Sequence, residues 1–159
     1  MQDVSKGSPK LVRDNSEPIP VAAYDSFLRG QYYHYQGNSD LAVAAFEKAL
    51  ELHPNYALAH AHLSHSYFLR AYQHSEQVNQ LIEKASKLAT KARQIDEYPA
   101  YVQLVSALSY QYKETNYLLA EQYFKRAFER NNQDLLLLEW YIDYLLTCLL
   151  YTSPSPRDS

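Results

Sequence analysis

Two tyrosines, Tyr33 and Tyr67, stand 34 residues apart, and each has a small residue three positions earlier, Gly30 and Ser64. A helix-turn-helix pattern fills the interval, and self-similarity at this period restricts a chain to stacked helical hairpins. One hairpin cannot bury its own apolar face, so it must stack on a neighbour. Stacking produces an extended surface for partners and no built-in catalytic cleft. The expected fold class is therefore all-α: an α-solenoid of stacked antiparallel helical hairpins. A chain of 159 residues holds about three such repeats plus a truncated fourth, and leaves no room for a second domain.

Residues 1–22 are polar, carry Gly7, Pro9, Pro18 and Pro20, and read as a linker or tail. The repeat region is expected over 23–147. Tyr24, Phe27, Leu28 and Tyr35 can share neighbouring faces of a first helix that begins near Val21 and ends at the turn signal Gly37-Asn38. Asp40 is the candidate cap of the second helix, on which Leu41, Ala42, Ala45, Phe46, Ala49 and Leu52 recur at three- and four-residue steps until Pro54.

The next first helix is expected over 56–71, with Leu63, Ser64, Tyr67 and Phe68. Its partner is displaced. Ala42 to Ala85 and Tyr67 to Tyr110 are both steps of 43 residues, nine more than the period, which places one insertion between Tyr67 and Ala85. The polar stretch 73–79 is the candidate for an elongated turn or an extended helix start. Ala85, Leu88, Ala89, Ala92 and Ile95 then form the second helix, before Pro99. A third hairpin carries Leu104, Ala107, Leu108 and Tyr110, then Leu119, Ala120, Tyr123, Phe124, Ala127 and Phe128, and stops at Asn131-Asn132. Residues 135–147, with Trp140 and Tyr141, read as the first helix of a fourth hairpin, which should expose Leu138, Tyr141 and Leu145.

These residues resemble the tetratricopeptide repeat family, whose pattern is small-x-x-Tyr on the first helix and Ala-x-x-x-Phe, then Pro, on the second. Gly30, Tyr33, Ala42, Phe46, Ala49 and Pro54 match it in the first repeat. Leu63, Ser64 and Tyr67 match in the second, which has Ala89 where Phe is usual. Ala107, Tyr110, Ala120, Phe124 and Ala127 match in the third, with Asn132 in place of Pro. Arg29 stands where Leu usually precedes the small residue, and Leu28 is the candidate substitute. Within the pattern, small residues allow close helix crossing and Phe fills the gaps between hairpins, so these positions, Ala85 included, are structural. The resemblance also implies that partners are held on the first helices, at Gln31, His34, Tyr35, His65, Leu69, Gln111 and Tyr112, and that the partner is a protein or peptide.

More narrowly, residues 23–30 and 45–54 resemble the repeats that follow effector domains in bacterial winged-helix transcriptional regulators and class III nucleotide cyclases. This resemblance implies a non-catalytic module for protein-protein interaction or sensory regulation within a larger bacterial protein. Its alternative form is the regulatory C-terminal part of such a cyclase or DNA-binding regulator. No cyclase aspartate pair and no DNA-reading helix occurs in these residues. Residues 148–158 resemble the in-frame translation of a sequencing-library adapter, so 148–159 is expected to be a non-native tail, with Cys148 uninformative about redox compartment.

Composition narrows the function classes. Lys plus Arg total 15 against 18 Asp plus Glu, a net charge of -3, and no local basic cluster offers direct nucleic-acid binding. Residues 135–151 are apolar, but Glu139 and Asp143 would sit deep in a bilayer, so an amphipathic helix is expected and no membrane span. Residues 1–11 lack the apolar centre of a signal peptide, which points to the cytoplasm, or to the periplasm if a membrane anchor precedes them. Of His53, His60, His62, His65 and His74, only His62 and His65 approach ligand spacing, and no carboxylate shares their helix; hydrogen-bonded or solvated histidines are expected, with no metal or cofactor. No nucleophilic triad and no Gly-rich phosphate loop is visible, so no enzyme activity is expected.

Overall fold

The computed structural model describes residues 17–73 and 75–152, which form seven α-helices and, among the described residues, no strand. They are α1 (Val21–Tyr35), α2 (Ser39–Leu52), α3 (Ala57–Gln73), α4 (Val78–Ile95), α5 (Ala100–Tyr112), α6 (Tyr117–Arg130) and α7 (Leu135–Thr152). α1 packs on α2, α3 on α4 and α5 on α6, and each hairpin stacks on the next through α2 against α3 and α4 against α5. This is the all-α stack of antiparallel hairpins that the period implies.

Most of the linker, residues 1–16, and residues 153–159 of the tail lie outside the described residues, as does His74. α7 continues past Thr147 through Cys148 to Thr152, and Cys148 packs against the core.

Local chemistry explains the helix ends. Gly37 closes the first turn at φ 72°, a left-handed conformation that glycine adopts without strain. The cap of α2 is Asn38, whose Oδ1 accepts from the Leu41 N–H at 3.2 Å. This corrects the assignment to Asp40, which lies inside the first turn of α2 and pairs with Arg70 of α3. Asn116 caps α6 in the same way, accepting from the Leu119 N–H at 3.1 Å. Pro54 and Pro99 stand just beyond α2 and before α5, where each missing N–H costs no helical bond.

The core runs through the crossing points. Phe46 and Phe124 are fully buried, among Ala42, Ala49, Ala120 and Ala127. In the middle hairpin Ser64 donates to the Ala85 carbonyl at 2.7 Å, joining the small position of α3 to that of α4. Where Phe is absent at Ala89, Ala57, Ala61, Ala89 and Ala92 form an alanine seam sealed by Val102 and Val105 of α5. Tyr67 reaches Glu47 of α2 and Tyr110 accepts from Arg93 of α4 at 3.1 Å, so each tyrosine ties its hairpin to the preceding second helix.

Two packing expectations change. Phe27, not Leu28, fills the first hairpin; Leu28, Tyr24 and Tyr35 are exposed. On α7, Leu145 is exposed as expected, but Leu138 and Tyr141 are partly covered, Tyr141 by stacking on Phe124 at 5.7 Å. The open face of α7 is instead Leu135, Ile142, Leu146, Leu149 and Leu150. Among the described residues no helix is long and apolar enough to cross a membrane.

Candidate functional site

The first helices of the hairpins, α1, α3 and α5, meet α7 around a single side chain, His65 of α3. The indole N–H of Trp140 on α7 donates to His65 Nε2 at 3.0 Å. An indole nitrogen only donates, so Nε2 carries no proton and the neutral ring holds its proton on Nδ1. Nδ1 lies 2.6 Å from the hydroxyl of Tyr101 on α5, to which it donates. His34 of α1 completes the circle, with ring centroids 5.2 Å apart.

Adjacent helix axes are separated by about 8–10 Å. In a flat layer α3 and α7, with α5 between them, would be too far apart for side chains to bond. The His65–Trp140 bond therefore records a curled layer, concave on the side of the first helices.

His62 extends the cluster. Its ring stacks on Tyr101 with centroids 3.8 Å apart and planes at 10°, and its Nε2 lies 3.5 Å from Gln31 Nε2. Burial keeps these histidines neutral. The His65 pKa falls to about 3, first from burial and then from the proximity of His34; His62 is held well below the usual range for the same reason, and His34 is lowered by burial. Burial also raises the Tyr101 hydroxyl far above the ordinary phenol value. The cluster is an uncharged wall, hydrogen-bonded through His65 and held elsewhere by ring contacts.

The sequence candidates divide into three groups on this face. Tyr35 is 87% exposed at the rim. Gln31, His34, Leu69 and Tyr112 are half-buried, which suits side chains that line a concavity. His65 and Gln111 are buried: His65 is the hub of the wall and not a free contact surface. Tyr101 and Trp140, absent from the candidate set, are what fix the wall. Tyr101 could have been found, because 101, 104, 108 and 112 lie on one helical stripe that ends at the candidate Tyr112. No periodicity signals the Trp140 contact, which joins residues 75 positions apart.

Charge is sparse here. α5 and α7 contain no Lys or Arg, Arg29 of α1 pairs with Asp25, and Arg70 of α3 turns toward Ser39 and Asp40 of α2. Asp143 lies beside the Tyr112 hydroxyl, which burial and this carboxylate together push up to about 12. Among the described residues no group of three or more His, Cys, Asp or Glu is placed to hold a metal ion.

The tetratricopeptide repeat family matches residues 27–56, which span most of the first hairpin. No curated protein matches the chain in sequence. Among solved structures, the chain is similar to the Arabidopsis OM64 TPR domain, with TM-score 0.59 and 15% identity over 79% of this chain and 96% of that one. It is similar to the first TPR of Spaghetti (RPAP3) bound to the HSP90 peptide SRMEEVD, with TM-score 0.59 and 12% identity over 80% and 95%. It is also similar to the TPR2B domain of yeast Sti1 in complex with pHsp70, with TM-score 0.58 and 16% identity over 80% and 99%. At these identities the shared property is the fold.

Proposed function

We propose that this chain is a protein-interaction module that holds a short segment of another protein against the concave face of its first helices. The observation that carries this reading is the wall itself: four helices present Tyr, Trp, His and Gln side chains on one curled surface. Such side chains offer large contact area with polar tips at small entropic cost. Two domains of the same fold hold peptides or protein in their solved structures, which supports the reading.

The chemistry of the ligand differs from that of SRMEEVD. That peptide is acidic, whereas the concave face here has neutral histidines, no free cation among the described residues, and the carboxylate of Asp143. A neutral or basic segment with bulky apolar residues fits it. The narrower likeness of residues 23–30 and 45–54 to repeats that follow effector domains supports placing this surface beside such a domain in a bacterial signalling or transcription regulator, with the module itself non-catalytic. The coding sequence upstream of Met1 tests that placement.

The interaction reading is tested by selecting peptides from a random display library and measuring their affinity for variants. Tyr35→Ala and Tyr112→Ala should each weaken a selected peptide by more than about 1 kcal/mol if dominant, with helicity intact. Lys48→Ala and Lys125→Ala, on exposed outer positions, should change it little. Affinity that follows the lysines and ignores the tyrosines sinks the reading.

A further inference from the structure

The insertion in the second repeat is helical, not a loose loop. It lengthens α3 to Gln73, is crossed by a single 3-10 turn at Ser75–Gln77, and lets α4 begin at Val78. The added length builds a wall. Tyr72 from the end of α3, with Val78 and Ile82 from the start of α4, join Phe68, Ala71, Tyr112 and Trp140 around a cavity of about 250 Å³. A regular repeat would place its turn here, so the cavity belongs to the irregularity of this chain.

All seven lining residues are apolar or aromatic. An apolar cavity of roughly 150 Å³ stays dry and accepts benzene, so this one has room for a phenyl or indole ring or a branched aliphatic group. Tyr72, 77% exposed, stands at its mouth. The wall is braced by the Lys113–Glu83 ion pair at 3.0 Å, which joins α5 to α4 beside Tyr112 and Ile82. Tyr112 and Trp140 belong both to the cavity and to the concave face, and Asp143 beside Tyr112 has no ion-pair partner among the described residues. A carboxylate bonded to the hydroxyl of a lining tyrosine, with no cation paired to it, is complementary to a cation next to a greasy side chain.

We propose that this cavity is an anchor pocket for one bulky apolar side chain, aromatic or branched aliphatic, of a peptide whose adjacent Lys or Arg meets Asp143. This deepens the interaction reading and rests on it.

Trp140 is the only tryptophan, so its fluorescence reports occupancy directly, and the methyl resonances of Val78 and Ile82 report it independently. The probes are the blocked pentapeptide Ser-Lys-Phe-Lys-Ser, its Phe-to-Ala form, its Lys-to-Glu form, and toluene. The Phe peptide should shift both signals saturably. Removing the ring should weaken it at least about tenfold, and reversing the charges about threefold or more. Asp143→Asn should abolish the charge preference. Ala71→Phe and, separately, Val78→Phe should fill the cavity and remove the response of Trp140 and of the Ile82 methyls, with an unchanged or raised unfolding midpoint certifying the fold. Equal shifts from the Phe and Ala peptides, a response that survives both filling variants, or toluene binding with no peptide binding would each overturn the anchor. Library-selected peptides that depend on Tyr35 yet ignore Ala71→Phe would also overturn it while leaving the interaction reading standing. Failure of any peptide to be selected strikes that broader reading instead.

Discussion

A methyl group on Gly30 would lie 2.5 Å from Phe46 Cδ1 and 2.9 Å from Cζ, and Phe46 is fully buried with nowhere to move. Alanine is worth about 1 kcal/mol over glycine inside a helix, but overpacking a closed seam costs about 1–3 kcal/mol. Gly30→Ala should therefore lower the urea midpoint without changing the slope of the transition. Ser64→Ala should do the same by a different route, since it leaves the buried Ala85 carbonyl without the side-chain donor it now has. His65 gives a pH prediction. Its folded pKa, about 3, lies below the ordinary histidine value of about 6.5 that applies in the unfolded chain. The unfolded state thus binds the extra proton first as pH falls, so stability is complete above about 6.5 and declines on acidification toward 3. The slope from His65 alone is at most about 1.4 kcal/mol per pH unit. A protonated Nε2 would also face the Trp140 donor. Urea unfolding at pH 7.5, 6.5 and 5.5 should show the decline, and His65→Gln should make it shallower while His62 and His34 keep contributing; equal pH dependence in both proteins refutes this assignment.

At the scale of the helix, Asn38 and Asp40 separate a cap from a surface ion pair. Asn38→Ala should cost about 0.5–2 kcal/mol because the Leu41 N–H loses its acceptor. Asp40→Ala should cost about 1 kcal/mol or less, because the Asp40 side chain is 95% exposed. Thermal unfolding of the two variants decides between them. The same pair shows where sequence reading stops. Periodic apolar spacing made every hairpin legible, and Gly37, Pro54, Pro99 and the Asn131-Asn132 pair marked their ends, because those signals are local. Asn38 and Asp40 are both good capping residues two positions apart, and only the backbone turn at Gly37 selects one. The insertion was visible as a broken period, with an elongated turn and an extended helix start both open for it; the polar stretch 73–79 does not choose between them, and the half-buried Val78 and Ile82 lie in the early start of α4. Trp140 was visible as an aromatic on a helix. Its bond to His65 depends on the accumulated curl of three hairpins, which no window of sequence contains.

Across the whole molecule, stability should be uneven. α3 buries eleven of its seventeen residues, whereas among the described side chains of α7 only Leu137 and Tyr144 are buried. Repeat arrays open from their ends, so amide exchange should be slowest in α3 to α5 and fastest in α1 and in α7 beyond Tyr144. Uniform protection along the chain would contradict this. Trp140→Phe removes the donor to His65, and it should raise exchange in α7 more than in α1. That bond also bears on mechanics. A stack in which each unit touches only the next behaves as a coil spring, because pitch and curvature can vary at every joint. A strut from the second hairpin to the seventh helix, skipping the third, braces that spring across its inner side and holds one radius. A ligand meeting the braced stack need not bend it to shape, and cutting the strut should leave the contacts in place while making the shape that presents them a matter of thermal fluctuation.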